Sequence, residues 1–308
     1  MISSWKGYVC VIIAAILWAC SGTAGKALFD AGISPFELVQ IRVTLASAFL
    51  GPALFILSRR LLAIRLRDMG YFVLLGGVGM SLVQFTYLYT ISKIQVAAAI
   101  LLQYLAPMFV SLFAMCFWKE RLTLFKVAAL LLAFGGCYLV VGGYNLRLLQ
   151  MNRLGVMGGI AGAVCFAAYT LLGERGMHRY RPWTVLFYAL AFAAIAWHIF
   201  YPPFHYLHAG FTPKQWGLIV YIAVFGTIIP FGLYFVGVNF IRSTRAVVTA
   251  TLEPVCAGVV AFLALGETLQ SLQLLGEALV IGAIVLLQVQ KERDEMAPAV
   301  IRSRRVTQ

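Results

Sequence analysis

Glu253 and Pro254 stand inside an otherwise apolar run, ATLEPVCAGVVAFLALGE, from Ala250 to Glu267. Buried among apolar side chains, a carboxyl group needs a polar partner or water. A proline brings no N–H, so a carbonyl one turn earlier, near Ala250, loses its helical donor. A helix that carried both would be tolerated where it lines a cavity. Ala246, Thr249 and Cys256 are predicted to share the face of Glu253, giving a small and polar stripe beside a wet pathway. A carboxyl there could take up a proton, or the cationic part of a substrate, in alternation. Glu253 is therefore the coupling candidate. The alternative is a Glu253 carboxyl bonded to a neighbouring helix purely for packing.

A second run, QYLAPMFVSLFAMCFWKE from Gln103 to Glu120, repeats the design. Pro107 and Glu120 match Pro254 and Glu267 at a fixed offset of 147 residues. The mate of Glu253 is Ala106, and this half instead offers Gln103 and Tyr104 one turn before its proline. Gln84 and Tyr87 lie one turn apart and have Phe231 and Tyr234 as mates. Trp18 and Tyr169 stand at roughly matching places in the two halves. Aromatic rings with polar tips suit the walls of a small-molecule cavity, and equally suit membrane packing and interfaces. The predicted cavity set is Trp18, Gln84, Tyr87, Gln103, Tyr104, Tyr169, Tyr234, Thr249 and Glu253.

Other chemistries find less support. Ser81 in a Gly-Met-Ser run and His198 could imitate a serine–histidine pair of an intramembrane hydrolase, but no oxyanion-hole motif accompanies them. No Walker pattern is present for nucleotide-driven pumping. The six cysteines all fall in apolar runs without a Cys-x-x-Cys pair, reading as unpaired small hydrophobes. No catalytic residue, metal or cofactor is implied.

The elements that must position these residues follow from composition. Of 308 residues 62% are hydrophobic and 11% charged, against about 25% charged in soluble domains. A bilayer fits as solvent, since a spanning helix needs roughly 20 mostly apolar residues. Ten spans are predicted, near 7–29, 35–58, 69–91, 96–117, 126–144, 154–173, 183–201, 217–238, 246–265 and 272–290. The first is too long for the apolar core of a signal peptide, ~7–15 residues. At ~1.5 Å per residue Glu253 would lie about 10 Å deep in the ninth. The net charge of +13 comes from basic residues in the short links, which bespeaks topology and no nucleic-acid partner. With the N-terminus inside, eighteen Lys and Arg fall at cytoplasmic ends and five at outer ends. Both termini are thus expected in the cytoplasm. The basic tail, 291–308, is expected to be disordered near anionic head groups.

The same 147-residue shift also aligns Pro35 with Pro182, Gly70 with Gly217, Gly79 with Gly226, Leu122 with Leu269 and Gly135 with Gly282. Repeats 1–148 and 149–290 with five spans each would be inverted relative to one another, a mark of secondary transporters. The sequence resembles the drug/metabolite transporter superfamily in its ten-helix EamA-type branch. The likeness rests on Pro107 with the run Lys119 to Thr123, on Leu252 to Pro254 with Leu265 to Leu269, and on Ser34 to Arg42. It implies a central cavity among helices 1, 3, 4, 6, 8 and 9, with helices 5 and 10 bracing the outside. Arg42 stands where the family has a recurrent arginine, and anchoring and ligand contact both fit it. Glu120 and Glu267, just before Thr123 and Ser271, read as loop and helix-start residues. Arg42, Pro107, Glu120, Pro254 and Glu267 are assigned structural roles.

The sequence therefore predicts an all-α integral membrane protein and no enzyme. Its function would be export of small organic metabolites, amino acids or related compounds foremost, across the cytoplasmic membrane by alternating access. A passive channel is the alternative. The bilayer and a small-molecule substrate are the expected partners, and a homodimer is compatible with the sequence.

Overall fold

The computed structural model describes residues 4–94, 96–118, 123–140, 144, 152–207, 209–265, 270–289 and 297–306. Among these residues every regular element is helical. In chain order they are α1 (Ser4–Asp30), α2 (Pro35–Leu57), α3 (Leu66–Lys93), α4 (Val96–Gln103), α5 (Ala106–Trp118), α6 (Leu124–Val140), α7 (Arg153–Met177), α8 (Pro182–Phe200), α9 (Pro213–Ala250), α10 (Leu252–Leu265), α11 (Ser271–Val289) and α12 (Pro298–Val306). Among the described residues seven apolar helical stretches are long enough to cross a bilayer, and α6 and α11 add two shorter apolar helices.

Local chemistry explains where these helices start. Ser34 caps α2 by accepting the Glu37 N–H at 3.1 Å, with Pro35 in the first turn. Pro182 opens α8 in the same manner, using the fixed φ and missing donor of proline where neither costs anything. Thr212 and Gln215 form a reciprocal capping box ahead of α9.

The two spans expected to run unbroken across 96–117 and 246–265 do not. The first is interrupted at Tyr104–Leu105, between α4 and α5, and the second at Thr251, between α9 and α10. Tyr104 and Thr251 are repeat mates at the 147-residue offset. Each break is a tight turn: Thr251 N–H donates to Val248 O at 3.1 Å and Leu105 N–H to Leu102 O at 3.2 Å. Pro107 and Pro254 thereby fall in the first turn of a fresh helix, where a missing N–H costs that helix no bond of its own. The helix α9 also kinks at Arg242 (φ 67°, ψ 167°), a left-handed φ that is strained for a residue with a Cβ. Wide π-type turns occur at Leu74–Met80 in α3 and Val224–Ile228 in α9.

The helices α6 and α11 pack on each other at one edge. A Cβ on Gly136 would meet Gly276 O at 2.7 Å, and a Cβ on Gly276 would meet Gly136 O at 2.7 Å. Only glycine at both positions allows backbones to approach so closely, as small residues do at membrane helix crossings.

The C-terminal segment departs from the expected disorder. Residues 298–306 form α12, with Ala297 and Pro298 buried. Arg302 donates to Tyr180 O at 3.1 Å, to Asn239 Oδ1 at 2.6 Å and to Met177 O. The polar tail finds its partners at the end of α7, in the turn that follows it and at Asn239 within α9, which the charge pattern of the tail alone does not reveal. Glu120 and Glu267 lie outside the described residues.

Candidate functional site

A central cavity opens between α1, α2, α3, the α4–α5 break, α7, α9 and α10. Its polar wall comprises Ser21, Arg42, Gln84, Tyr87, Gln103, Tyr104 and Glu253, and its apolar wall Trp18, Val83, Ala106, Phe166, Phe231, Val247 and Ala250. The free space is about 40 Å³ measured at the centres of water-sized molecules, enough for about three waters at ~10–15 Å³ each.

The polar centre is the meeting of the two breaks. Tyr104 Oη lies 2.8 Å from Glu253 Oε2 and 2.9 Å from Ala250 O. Ala250 O is the carbonyl whose helical donor Pro254 removes, and the phenol of the other half of the chain replaces that donor. The phenol holds one proton but faces two oxygens. A Glu253 carboxyl that carries a proton can donate to Tyr104, which then donates to Ala250 O. A carboxylate instead competes with the carbonyl for the phenol's proton. The hydrogen-bond arrangement is thus tied to the protonation state of Glu253.

Arg42 is both anchored and at the cavity. Its Nε donates to Thr227 Oγ1 at 2.5 Å and its Nη2 to Gly226 O at 2.6 Å, while Thr227 donates to Ile222 O at 2.9 Å. The π-type turn at Val224–Ile228 presents these oxygens. Wide turns of this kind recur at functional positions in helices. Glu37 does not pair with Arg42 and instead lies 3.5 Å from His205.

Trp18, Gln84, Tyr87, Gln103, Tyr104 and Glu253 line the cavity. Tyr169, Tyr234 and Thr249 do not. Tyr234 is fully buried, with its hydroxyl 3.0 Å from that of Thr170. Tyr169 is stacked on Phe235 at 5.0 Å. Thr249 donates to Arg245 O at 2.8 Å and is wholly enclosed. The reason for Thr249 is the break at Thr251: the helical phase of residues 246–250 is not carried through to Glu253, so the four-residue stripe with Ala246 and Cys256 is not continuous. For Tyr169 the difference is depth, one turn along the same helix. Phe166 takes the wall instead, 6.1 Å from the Trp18 ring in an edge-on contact. The repeat offset carries Trp18 to position 165, next to Phe166, so that signal was present in the sequence.

Glu174 escaped the sequence reading. It is 1% exposed; it accepts the Ser243 N–H at 2.7 Å and Arg242 Nε at 3.2 Å. It thereby holds the strained Arg242 and caps the helical segment that begins at Ser243, which leads to Ala250 on the cavity wall. Its position beside a kink has no sequence signature. Ser81 and His198 form no pair: Ser81 donates to Gly76 O at 3.2 Å, and His198 Nδ1 lies 2.8 Å from Ala194 O. Among the described residues no group of three or more His, Cys, Asp or Glu could hold a metal ion.

Comparison with known proteins agrees with this architecture. The chain matches the EamA-like transporter family over residues 5–142 and again over 153–289. It is 27% identical over 298 residues to YicL of Salmonella typhimurium, named an uncharacterized inner membrane transporter, covering 96% of this chain and 99% of that one. It is 25% identical over 225 residues to RhtA of Escherichia coli, named a threonine/homoserine exporter, covering 71% and 72%. A protein crystal structure matches 99% of this chain and 100% of its own at TM-score 0.71 and 19% identity, a likeness of fold. An apolar helical bundle around a polar-lined cavity, matched almost end to end, is therefore a multi-pass membrane transporter that belongs to the EamA-like transporter family.

Proposed function

We propose that this chain is a secondary transporter that exports small organic metabolites, amino acids or related compounds foremost, by alternating access between two inverted repeats. The observation that carries the reading is the contact of two helix breaks at equivalent sequence positions, Tyr104 and Thr251, beside Glu253, the one acid that lines the cavity among the described residues. Discontinuous helices meeting at the repeat interface are where secondary transporters hold substrate and coupling ion.

The packing supports ten spans in two related halves, 1–148 and 149–290, followed by the tail 291–308. The helix α1 packs on α9, and its repeat counterpart α7 packs on α3. The helix α1 also packs on α10, and α7 on α4 and α5. The pairs α2 with α8 and α6 with α11 map onto themselves. A pseudo-two-fold relation in the membrane plane generates such a pattern.

A zwitterionic amphiphile suits the wall. Glu253 and the carbonyl of Ala250 offer acceptors for an ammonium group, Arg42 offers a counter-charge for a carboxylate, and Trp18, Phe166 and Phe231 offer an apolar side. The indole N–H of Trp18 has no partner among the described residues and can donate to a bound solute. That RhtA is named a threonine/homoserine exporter favours the same class. The small free volume requires the walls to part for such a solute, as an alternating cycle provides. The basic bias favours both termini in the cytoplasm and the protein in the cytoplasmic membrane, with a homodimer compatible.

The test is reconstitution into vesicles with pooled labelled metabolites. Saturable uptake that accelerates when unlabelled substrate is placed on the opposite side is expected. Linear, non-saturating flux without that acceleration would establish the channel reading instead.

A further inference from the structure

The end of the bundle that carries the α2–α3 link has a second concavity, separate from the central one. Two adjoining recesses of about 350 and 360 Å³ share Asp68, His178, Arg179 and Tyr180. The first adds Arg65, Arg67 and Arg302, and the second Arg175. Five arginines from three separated chain segments thus converge around one acid.

That acid is already engaged. Asp68 Oδ1 accepts from Arg179 at 2.9 Å, and its Oδ2 accepts from the Tyr180 hydroxyl at 2.6 Å. The Tyr180 oxygen accepts the backbone N–H of Arg65 at 3.1 Å, which fixes the link against the α7–α8 turn. Carbonyls at the C-terminal end of α7 would repel an anion, but Arg302 of α12 covers those of Met177 and Tyr180. What is left is cationic: the exposed guanidinium groups of Arg65, Arg67 and Arg175 make no hydrogen bond or ion pair with any described residue.

We infer that this recess binds a phosphate-bearing anion, with Arg65, Arg67 and Arg175 as its ligands and the Asp68–Arg179–Tyr180 cluster as its rigid floor. The planar guanidinium fork matches phosphate oxygens in pairs. An anionic phospholipid head group is the favoured source. Leu66, 82% exposed, projects between the two arginines of the link and gives an acyl chain an apolar neighbour. Basic pockets at the membrane surface hold lipid head groups in this manner. Soluble phosphate shares the chemistry. The site is independent of which solute the central cavity carries.

The experiment uses the full chain purified in neutral detergent. Retention of phosphatidylglycerol and of phosphatidylcholine is compared by native mass spectrometry, and inorganic phosphate is titrated separately against the thermal unfolding midpoint. The wild type is expected to retain the anionic lipid roughly 30- to 150-fold better, the weight of two or three basic side chains near an anionic surface. The triple variant Arg65→Gln, Arg67→Gln, Arg175→Gln should lose that preference. A charge-matched control, Lys93→Gln, Arg153→Gln, Lys214→Gln, should keep it. A midpoint raised by inorganic phosphate in the wild type but not in the triple variant would identify a soluble anion as the source. Equal retention of both lipids by the wild type with no effect of phosphate overturns the site. So does a preference that both triple variants lose equally or both keep, because general surface charge would then explain it.

Discussion

The phenol of Tyr104 lies 2.8 Å from the carboxyl of Glu253, across 149 residues of sequence. One comes from a helix break in the first half, the other from the turn after the matching break in the second. Both side chains line the cavity, and a relative motion of the two halves would stretch or remake the contact.

Replacing Glu253 by glutamine keeps the shape and removes the proton cycle. If Glu253 couples transport to protons, Glu253→Gln loses pH-dependent accumulation in vesicles but retains exchange of substrate for substrate. Loss of both in a correctly folded variant would make Glu253 a direct substrate ligand. Accumulation like that of the wild type at every pH would reduce it to packing and sink the coupling proposal.

The variant Tyr104→Phe removes the hydroxyl that donates to Ala250 O. A buried acceptor left without its partner costs about 1–3 kcal/mol, so the thermal unfolding midpoint of the purified protein should fall by several degrees. A midpoint equal to the wild type's would mean that water or another group takes over the carbonyl, and the account of the break would be wrong.

Cavity position separates the tyrosines. Gln84→Ala and Tyr87→Phe should each raise the substrate concentration at half-maximal transport by roughly two- to tenfold, the weight of one hydrogen bond. Tyr234→Phe loses its contact with Thr170 behind the wall and should lower stability with little change in that concentration. The opposite ranking, with Tyr234 dominating apparent affinity, would contradict the geometry.

Neighbouring glycines test the brace between α6 and α11. Gly136→Ala places a methyl group 2.7 Å from Gly276 O, whereas Gly135→Ala meets nothing within 4 Å. The first should destabilise by roughly 1–3 kcal/mol through overpacking. The second should be neutral, or stabilising by up to about 1 kcal/mol from helix propensity. Equal unfolding midpoints for the two variants would refute the close crossing.

By itself the sequence determined the solvent and the class of element. Its apolar runs can be satisfied only in a bilayer, where no water pairs the backbone, and continuous apolar runs of about 20 residues meet that demand as helices. The 147-residue offset also marked Pro107 with Pro254 as equivalent and singled out Glu253 as the acid to explain. Tertiary structure decided the rest. The breaks at Tyr104 and Thr251 shift helical phase, so Thr249 leaves the wall while Ala250 stays on it. Tyr87 and Tyr234 are repeat mates, yet one lines the cavity and the other bonds Thr170, because matching positions in two halves need not meet matching neighbours. Glu174 and the arginines around Asp68 acquire their roles only through residues about 70 to 110 positions away. Sequence patterns report periods of two to four residues along one helix; which helix stands opposite is settled by packing the whole bundle.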